Sequence, residues 1–130
     1  MPAIQNKELV EAAVGRWHAG DVAWVSAVHL REDATLVLTA LMQRRDHALK
    51  GWPARDLPVH QVTMEFGGVR DLSLLAPGGL PVQIGGFDIE DCSDAQMEGI
   101  AFRVSDYEHG RLSFACSTIR VASVAAATHP

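Results

Sequence analysis

From residue 22 to residue 121, apolar side chains return at every second position in short runs broken by turn residues. A period of two is that of a β-strand with one buried face, and it excludes a chain built mainly from amphipathic helices. The runs include "AWVSAVHL", "TLVLTALMQR", "VHQVTMEF", "VRDLSLL", "VQIGGFDIEDC", "GIAFRVSDY" and "RLSFACSTIRV", about seven strands in all. No helical pattern separates consecutive runs, so βαβ units and a parallel sheet are not expected. The expected fold is mostly β (α+β): an antiparallel meander forming a sandwich or partial barrel. At 130 residues the chain is long enough for one core, and a single domain over 1–130 is expected.

Ahead of the strands, Asn6 reads as a helix N-cap, and Leu9, Val10, Ala13, Val14 and Trp17 follow at helical spacing. Gly20 reads as the stop. This gives one N-terminal amphipathic helix over about 7–19, a β-rich body over about 22–121 and a frayed tail over 122–130. In the first strand Val22, Trp24, Val28 and Leu30 form the apolar face, with Ser26 among them. Leu36, Leu38, Ala40 and Met42 face inward in the second, and Val62, Met64 and Phe66 in the third. "GG" at 67–68 reads as a hairpin turn. In "VQIGGFDIE" the inward parity slips between Ile84 and Phe87, which one β-bulge at Gly85-Gly86 would explain. Residues 45–58 form a long loop with two prolines and a glycine. Trp52 there is either an exposed recognition residue or a plug folded over the core, and the plug is favoured.

"SDYEHGRL", Ser105 to Leu112, carries residues typical of acid–base catalysis, and register decides its role. A two-residue loop at His109-Gly110 would set Phe114 opposite Ser105. A three-residue loop, Glu108-His109-Gly110, sets Val104 opposite Phe114, Phe102 opposite Cys116, Ser105 opposite Ser113 and Tyr107 opposite Arg111. Only the second keeps apolar residues together, and strand register follows burial. Gly110 then takes the left-handed position of a type I turn with a bulge. His109 stands at a solvated tip, without the orienting partner that a catalytic imidazole needs.

Other chemistry is sparse. The six histidines form no HxxxH or HExxH, and the two cysteines, Cys92 and Cys116, form no CxxC; they read as free thiols. No nucleophile elbow or phosphate loop is present. "DIEDCSDAQME" lacks the glycine and ligand spacing of a calcium loop. No cofactor or metal is expected. The start has no apolar run suited to a signal peptide and no stretch suited to a membrane helix, so a cytoplasmic location is expected. The net charge of −5 argues against nucleic acid and anionic membranes as partners. That charge is localised. Seven acids (Asp88, Glu90, Asp91, Asp94, Glu98, Asp106 and Glu108) stand against the single base Arg103 between 88 and 108, a net of −6. Such a field steers a basic partner, although it also serves as a solvated surface that deters aggregation. The candidate contacts are these acids, with Tyr107 and Trp52 as aromatic anchors.

The stretches "VTMEFGGVRDLSL", "IGGFDIED" and "FRVSDYEHGRLSFAC" resemble small, mostly β immunity proteins of bacterial toxin systems, with coverage of about 22–121. The resemblance implies a protein that binds and blocks a cognate toxin, with no catalytic residues. The leading expectation is therefore a non-enzymatic binding protein facing a basic toxin domain. The alternatives are a small-ligand or metal-dependent enzyme, in which His29, His47 or His60 would converge with a carboxylate, and a homo-oligomeric module pairing by an exposed strand.

Overall fold

The structure, a computed structural model, describes residues 3–45, 51–95 and 99–130. In chain order it has α1 (Glu8–Val14), a 3-10 turn at Ala19–Asp21, and the strands β1 (Val22–Leu30), β2 (Leu36–Met42), β3 (Val59–Gly67) and β4 (Arg70–Leu74). Then follow β5 (Val82–Gln83), β6 (Phe87–Asp91), a 3-10 turn at Ser93–Ala95, β7 (Phe102–Asp106), β8 (Leu112–Cys116) and β9 (Thr118–Ala127). The class is as expected: among the described residues, antiparallel β in two sheets, with one short α-helix near the N-terminus and no closed barrel. The connectivity is not a simple meander. One sheet runs β5-β1-β2-β3-β9 and the other β4-β8-β7-β6, so β1 meets β5, β3 meets β9 and β4 meets β8.

One antiparallel ladder links the two sheets. In the first sheet it pairs Val59 with Ala127 and continues to Gly67 with Thr118. In the second it resumes with Arg70 opposite Ala115 and ends with Leu74 opposite Leu112. Both chains bend at the same place, Gly67-Gly68 on one side and Ser117 on the other, where Ser117 N–H donates to the Gly67 carbonyl at 2.8 Å. Strands that bend from one sheet into the next make the corner of a sandwich. The expected β3–β4 hairpin is therefore a bend, with the two strands in different sheets.

The core lies between the sheets. Leu36, Leu38, Ala40 and Met42 of β2 and Val62, Met64 and Phe66 of β3 face inward, as their spacing predicts. Phe66 meets Phe114 of β8 edge-to-face, with ring centroids 4.9 Å apart, which locks one sheet against the other. In β1 the parity differs from expectation. Two register irregularities, between Val22 and Trp24 and between Val25 and Ala27, put Ala23 and Val25 in the core. Trp24 turns outward, its ring edge-on to His129, and Leu30 is exposed.

The helix is shorter than 7–19. It ends at Gly15, whose N–H donates to the Glu11 carbonyl, and Asn6 is not its cap: the Asn6 amide donates instead to the Val121 carbonyl at 3.3 Å. Arg16 leaves the helix for the carboxylate of buried Asp21, at 2.7 Å from Nη2 and 3.0 Å from Nε. Asp21 also accepts from the Arg45 N–H at 3.0 Å, so this ion pair ties the N-terminal segment to the end of β2. Buried Gln43 holds the described part of the long loop: its amide donates to Ala54 and Leu57 carbonyls and accepts from the Ala54 N–H. The tail is not frayed as expected. β9 continues to Ala127 because β3 offers it a full ladder.

Gly85-Gly86 is not a bulge within one strand but the step from one sheet to the other. Ile84 N–H still donates to Ala23 beside β1, whereas the Gly86 carbonyl already accepts from Tyr107 after β7. A slip in parity is common to both arrangements, which is why the pattern alone did not separate them. The β7–β8 register is the expected one: Phe102 faces Cys116, Val104 faces Phe114, and Ser105 faces Ser113. Gly110 has φ +64°, the left-handed region. The ladder nevertheless stops at Asp106 and Leu112, so Tyr107 and Arg111 do not pair as strand residues. The Asp106 carboxylate, 2% exposed, replaces that pairing. It accepts backbone N–H groups from Gly86 (3.2 Å), Glu108 (3.2 Å), His109 (3.4 Å) and Arg111 (3.1 Å).

Two outcomes follow from this crossing. A Cβ on Gly86 would lie 2.9 Å from the Glu108 backbone nitrogen and from the Tyr107 ring, whereas at Gly85 it would meet only the movable end of the Glu108 side chain. Gly86→Ala is expected to cost about 1–3 kcal/mol in urea denaturation, and Gly85→Ala less. Asp106→Ala strands four donors and is expected to cost on the order of 3 kcal/mol. Asp106→Asn, which keeps one carbonyl acceptor, should fall between Asp106→Ala and the parent in the same measurement.

Candidate partner-binding surface

Among the described residues β6 is an edge strand, paired with β7 alone. Alternation puts Phe87 and Ile89 toward the core and Asp88 and Glu90 outward, where both are exposed. Glu90 stands opposite Arg103 on β7 and Asp88 opposite Ser105, so Arg103 offsets the first and leaves the second unopposed. Asp91 ends the strand and Asp94 lies in the 3-10 turn after it, exposed. Asp91 accepts from the Ser93 hydroxyl at 2.7 Å and the Ser93 N–H at 2.9 Å. These bonds, the hydroxyl first, hold its carboxyl below the usual carboxylate range, so it stays charged at neutral pH.

Beside this edge runs a groove of about 570 Å³. Phe87, Ile89 and Phe102 line one side, with Asp88, Asp91 and Tyr107 among them. The opposite wall comes from the N-terminal segment: Ile4, Lys7 and Trp17. Tyr107 is 70% exposed and free to contact a partner. Lys7 and Trp17 are absent from the sequence-based candidates. They lie about seventy to eighty residues away along the chain, and no local pattern links them to β6.

The remaining candidates are elsewhere. Asp106 is buried in its own turn and presents no carboxylate to a partner, which corrects its assignment to the surface. Glu108 belongs to a separate polar pocket of about 250 Å³ with Arg45, Arg111 and Trp52. The guanidinium groups of Arg45 and Arg111 donate there to the Gly85 and Gln83 carbonyls. Trp52 is half-buried and folded back: its indole N–H donates to the Gln43 carbonyl at 3.1 Å, and the Arg45 guanidinium lies 4.1 Å from its ring centre. Glu98 lies outside the described residues. The acids that are consecutive in sequence are thus distributed in space, and Asp88, Glu90, Asp91 and Asp94 share the β6 edge.

Catalytic or metal chemistry finds little support in the geometry. Among the described residues no group of three or more His, Cys, Asp or Glu side chains could hold a metal ion. His29 is exposed on β1, His60 half-buried on β3, and His47 lies outside the described residues. His109 is at the exposed hairpin tip, with the Glu108 carboxylate 4.0 Å from its Nε2. Cys92 and Cys116 are buried and unpaired, and burial pushes the Cys116 thiol up to about 12, away from the thiolate a nucleophile requires.

Comparison with known proteins adds one result. Residues 54–122, just over half of the chain, match the family model described as Immunity protein PIM8. The matched stretch contains β3 to β8, including the whole second sheet and the β6 edge, while β1 and β2 precede it. No curated protein and no solved structure gives a significant match. An antiparallel two-sheet fold with exposed carboxylates beside a groove, and a family match that spans them, lead to one assignment: the chain belongs to the PIM8 immunity protein family.

Proposed function

We propose that this protein is a non-enzymatic inhibitor that neutralises a cognate toxin in the cytoplasm, and that it does so through the acidic edge of β6. Family membership supports the inhibitor part. The observation that carries the surface is the exposed run Asp88, Glu90, Asp91 and Asp94 along and just after β6, of which Asp88 and Asp91 also line the groove beside Ile89, Phe87 and Phe102. An apolar centre with a charged rim is the general anatomy of a protein–protein interface. Unpaired thiols at Cys92 and Cys116 are consistent with a reducing compartment. One continuous core, from Val10 of α1 through both sheets, supports a single folded unit acting as a whole.

The partner surface is basic in this reading. Its attraction to the β6 edge raises the association rate more than it lengthens the life of the complex, and salt weakens the effect. Reversing Asp88, Asp91 and Asp94 to lysine together is expected to slow association with the toxin domain about ten-fold or more at low ionic strength. The salt dependence of that rate should flatten or invert. Stopped-flow measurements across salt concentrations check this, and an association rate equal to the parent's would remove the electrostatic part of the proposal.

A further inference from the structure

We infer that the toxin lays an extended segment along the open edge of β6, adding a fifth strand to the second sheet; the inference rests on the inhibitor reading above. The main-chain hydrogen bonds identify the free groups. In the β6–β7 pair, Tyr107 N–H donates to Gly86 and Cys92 N–H donates to Ala101. With the register Asp88↔Ser105 and Glu90↔Arg103, alternation makes Gly86, Asp88, Glu90 and Cys92 the residues bonded to β7. Phe87, Ile89 and Asp91 therefore turn their N–H and carbonyl groups away from β7. Phe87 is covered near the Ala19–Asp21 turn, which packs against β6, and Ile89 and Asp91 line the groove.

The other three edges are less suited to this. β4 carries a register shift between Arg70 and Ser73, with Asp71 at φ +57°. β5 has only two residues. The first half of β9 is bridged by Gln5, which donates to Ile119 and accepts from Val121, and its second half, Ser123–Ala127, carries no charge. Bulges, short strands, covered edges and edge charges all hinder pairing. Along Ile89–Asp91 the β6 edge carries only the last, and its carboxylates select for a basic segment, whereas the uncharged edge at Ser123–Ala127 selects for none.

The side chains specify the occupant. A strand added beside β6 alternates between the outer face, where Asp88 and Glu90 stand, and the inner face, which continues into the groove floor at Ile89. The fitting segment is extended, with Lys or Arg at alternate positions and apolar residues between them. An acidic segment would meet Asp88, Glu90 and Asp91 along the strand, against Arg103 on the outer face and Lys7 in the groove. Main-chain bonds of this kind supply affinity and the alternate side chains supply selectivity.

The test uses the full chain and a catalytically inactivated cognate toxin domain, identified beforehand by capture with the unaltered chain. Hydrogen exchange on the free protein should show fast amides at Ile89 and Asp91 and slow ones at Asp88 and Glu90. On complex formation Ile89 and Asp91 should become slow. Ile89→Pro removes a donor that points away from β7 and leaves the β6–β7 ladder intact. It is expected to speed dissociation ten-fold or more while association stays at the parent rate, and Ile89→Val should bind like the parent. Amides at Ile89 and Asp91 that are already slow in the free protein, or stay fast in the complex, overturn the inference. So does new protection at Ser123–Ala127 in place of β6. Should Ile89→Pro fail to fold, the exchange data on the unaltered chain decide. If the lysine triple slows association but Ile89→Pro binds normally, strand addition falls and the inhibitor reading stands. If the unaltered chain captures no toxin domain, both fall.

Discussion

The antiparallel ladder from Val59–Ala127 to Leu74–Leu112 runs through both sheets, and the rest of the molecule is arranged around it. Because the ladder bends at Gly67-Gly68 and Ser117, the inner faces of the two sheets are brought together, and Phe66 can meet Phe114 across the gap. The bend also determines which strands become edges. β7 and β6 can only add outward from β8, so β6 ends the second sheet. Its exposure is a consequence of topology and not of any local property of "FDIED".

A second constraint acts where the chain returns from the first sheet to the second. The step at Gly85-Gly86 leaves backbone donors without strand partners, and the hairpin after β7 does the same. One carboxylate, Asp106, accepts from both places. A buried charge is tolerable when several N–H dipoles point at it, and four do so here. The residue that looks most like part of an acidic surface in sequence is thus a structural anchor. It holds Tyr107 at the end of the groove while Glu108 turns into the pocket with Arg45 and Arg111.

Particular residues show how far sequence reading reached. The faces of β2 and β3 were legible, because Leu36 to Met42 and Val62 to Phe66 alternate without interruption. So was the pairing of Val104 with Phe114, since only one register avoids setting Phe114 against a serine. The face of β1 was legible only in part: Val22 is buried and Val28 packs against the core, but two irregularities near Trp24 and Ala27 turn Trp24 outward and Ala23 and Val25 inward, and alternation carries no mark of them. The helix end was misplaced because Arg16 is drawn out to Asp21, a pairing decided by burial. Of the candidate surface, Asp88, Glu90, Asp91 and Asp94 were identifiable as a run of acids, whereas Lys7 and Trp17 required the fold.

The sequence alone determined the class of this protein. Alternation at period two compels strands, turn residues limit their length, and the absence of helical spacing between them rules out a parallel sheet. It also determined that acidic residues outnumber basic ones between 88 and 108. Only the tertiary structure decided which strands share a sheet, which edge stays open and which of those acids reach solvent. The physical reason is that a strand's pattern records which face is buried and says nothing about which neighbour completes its hydrogen bonds. That choice is made between residues far apart in the chain.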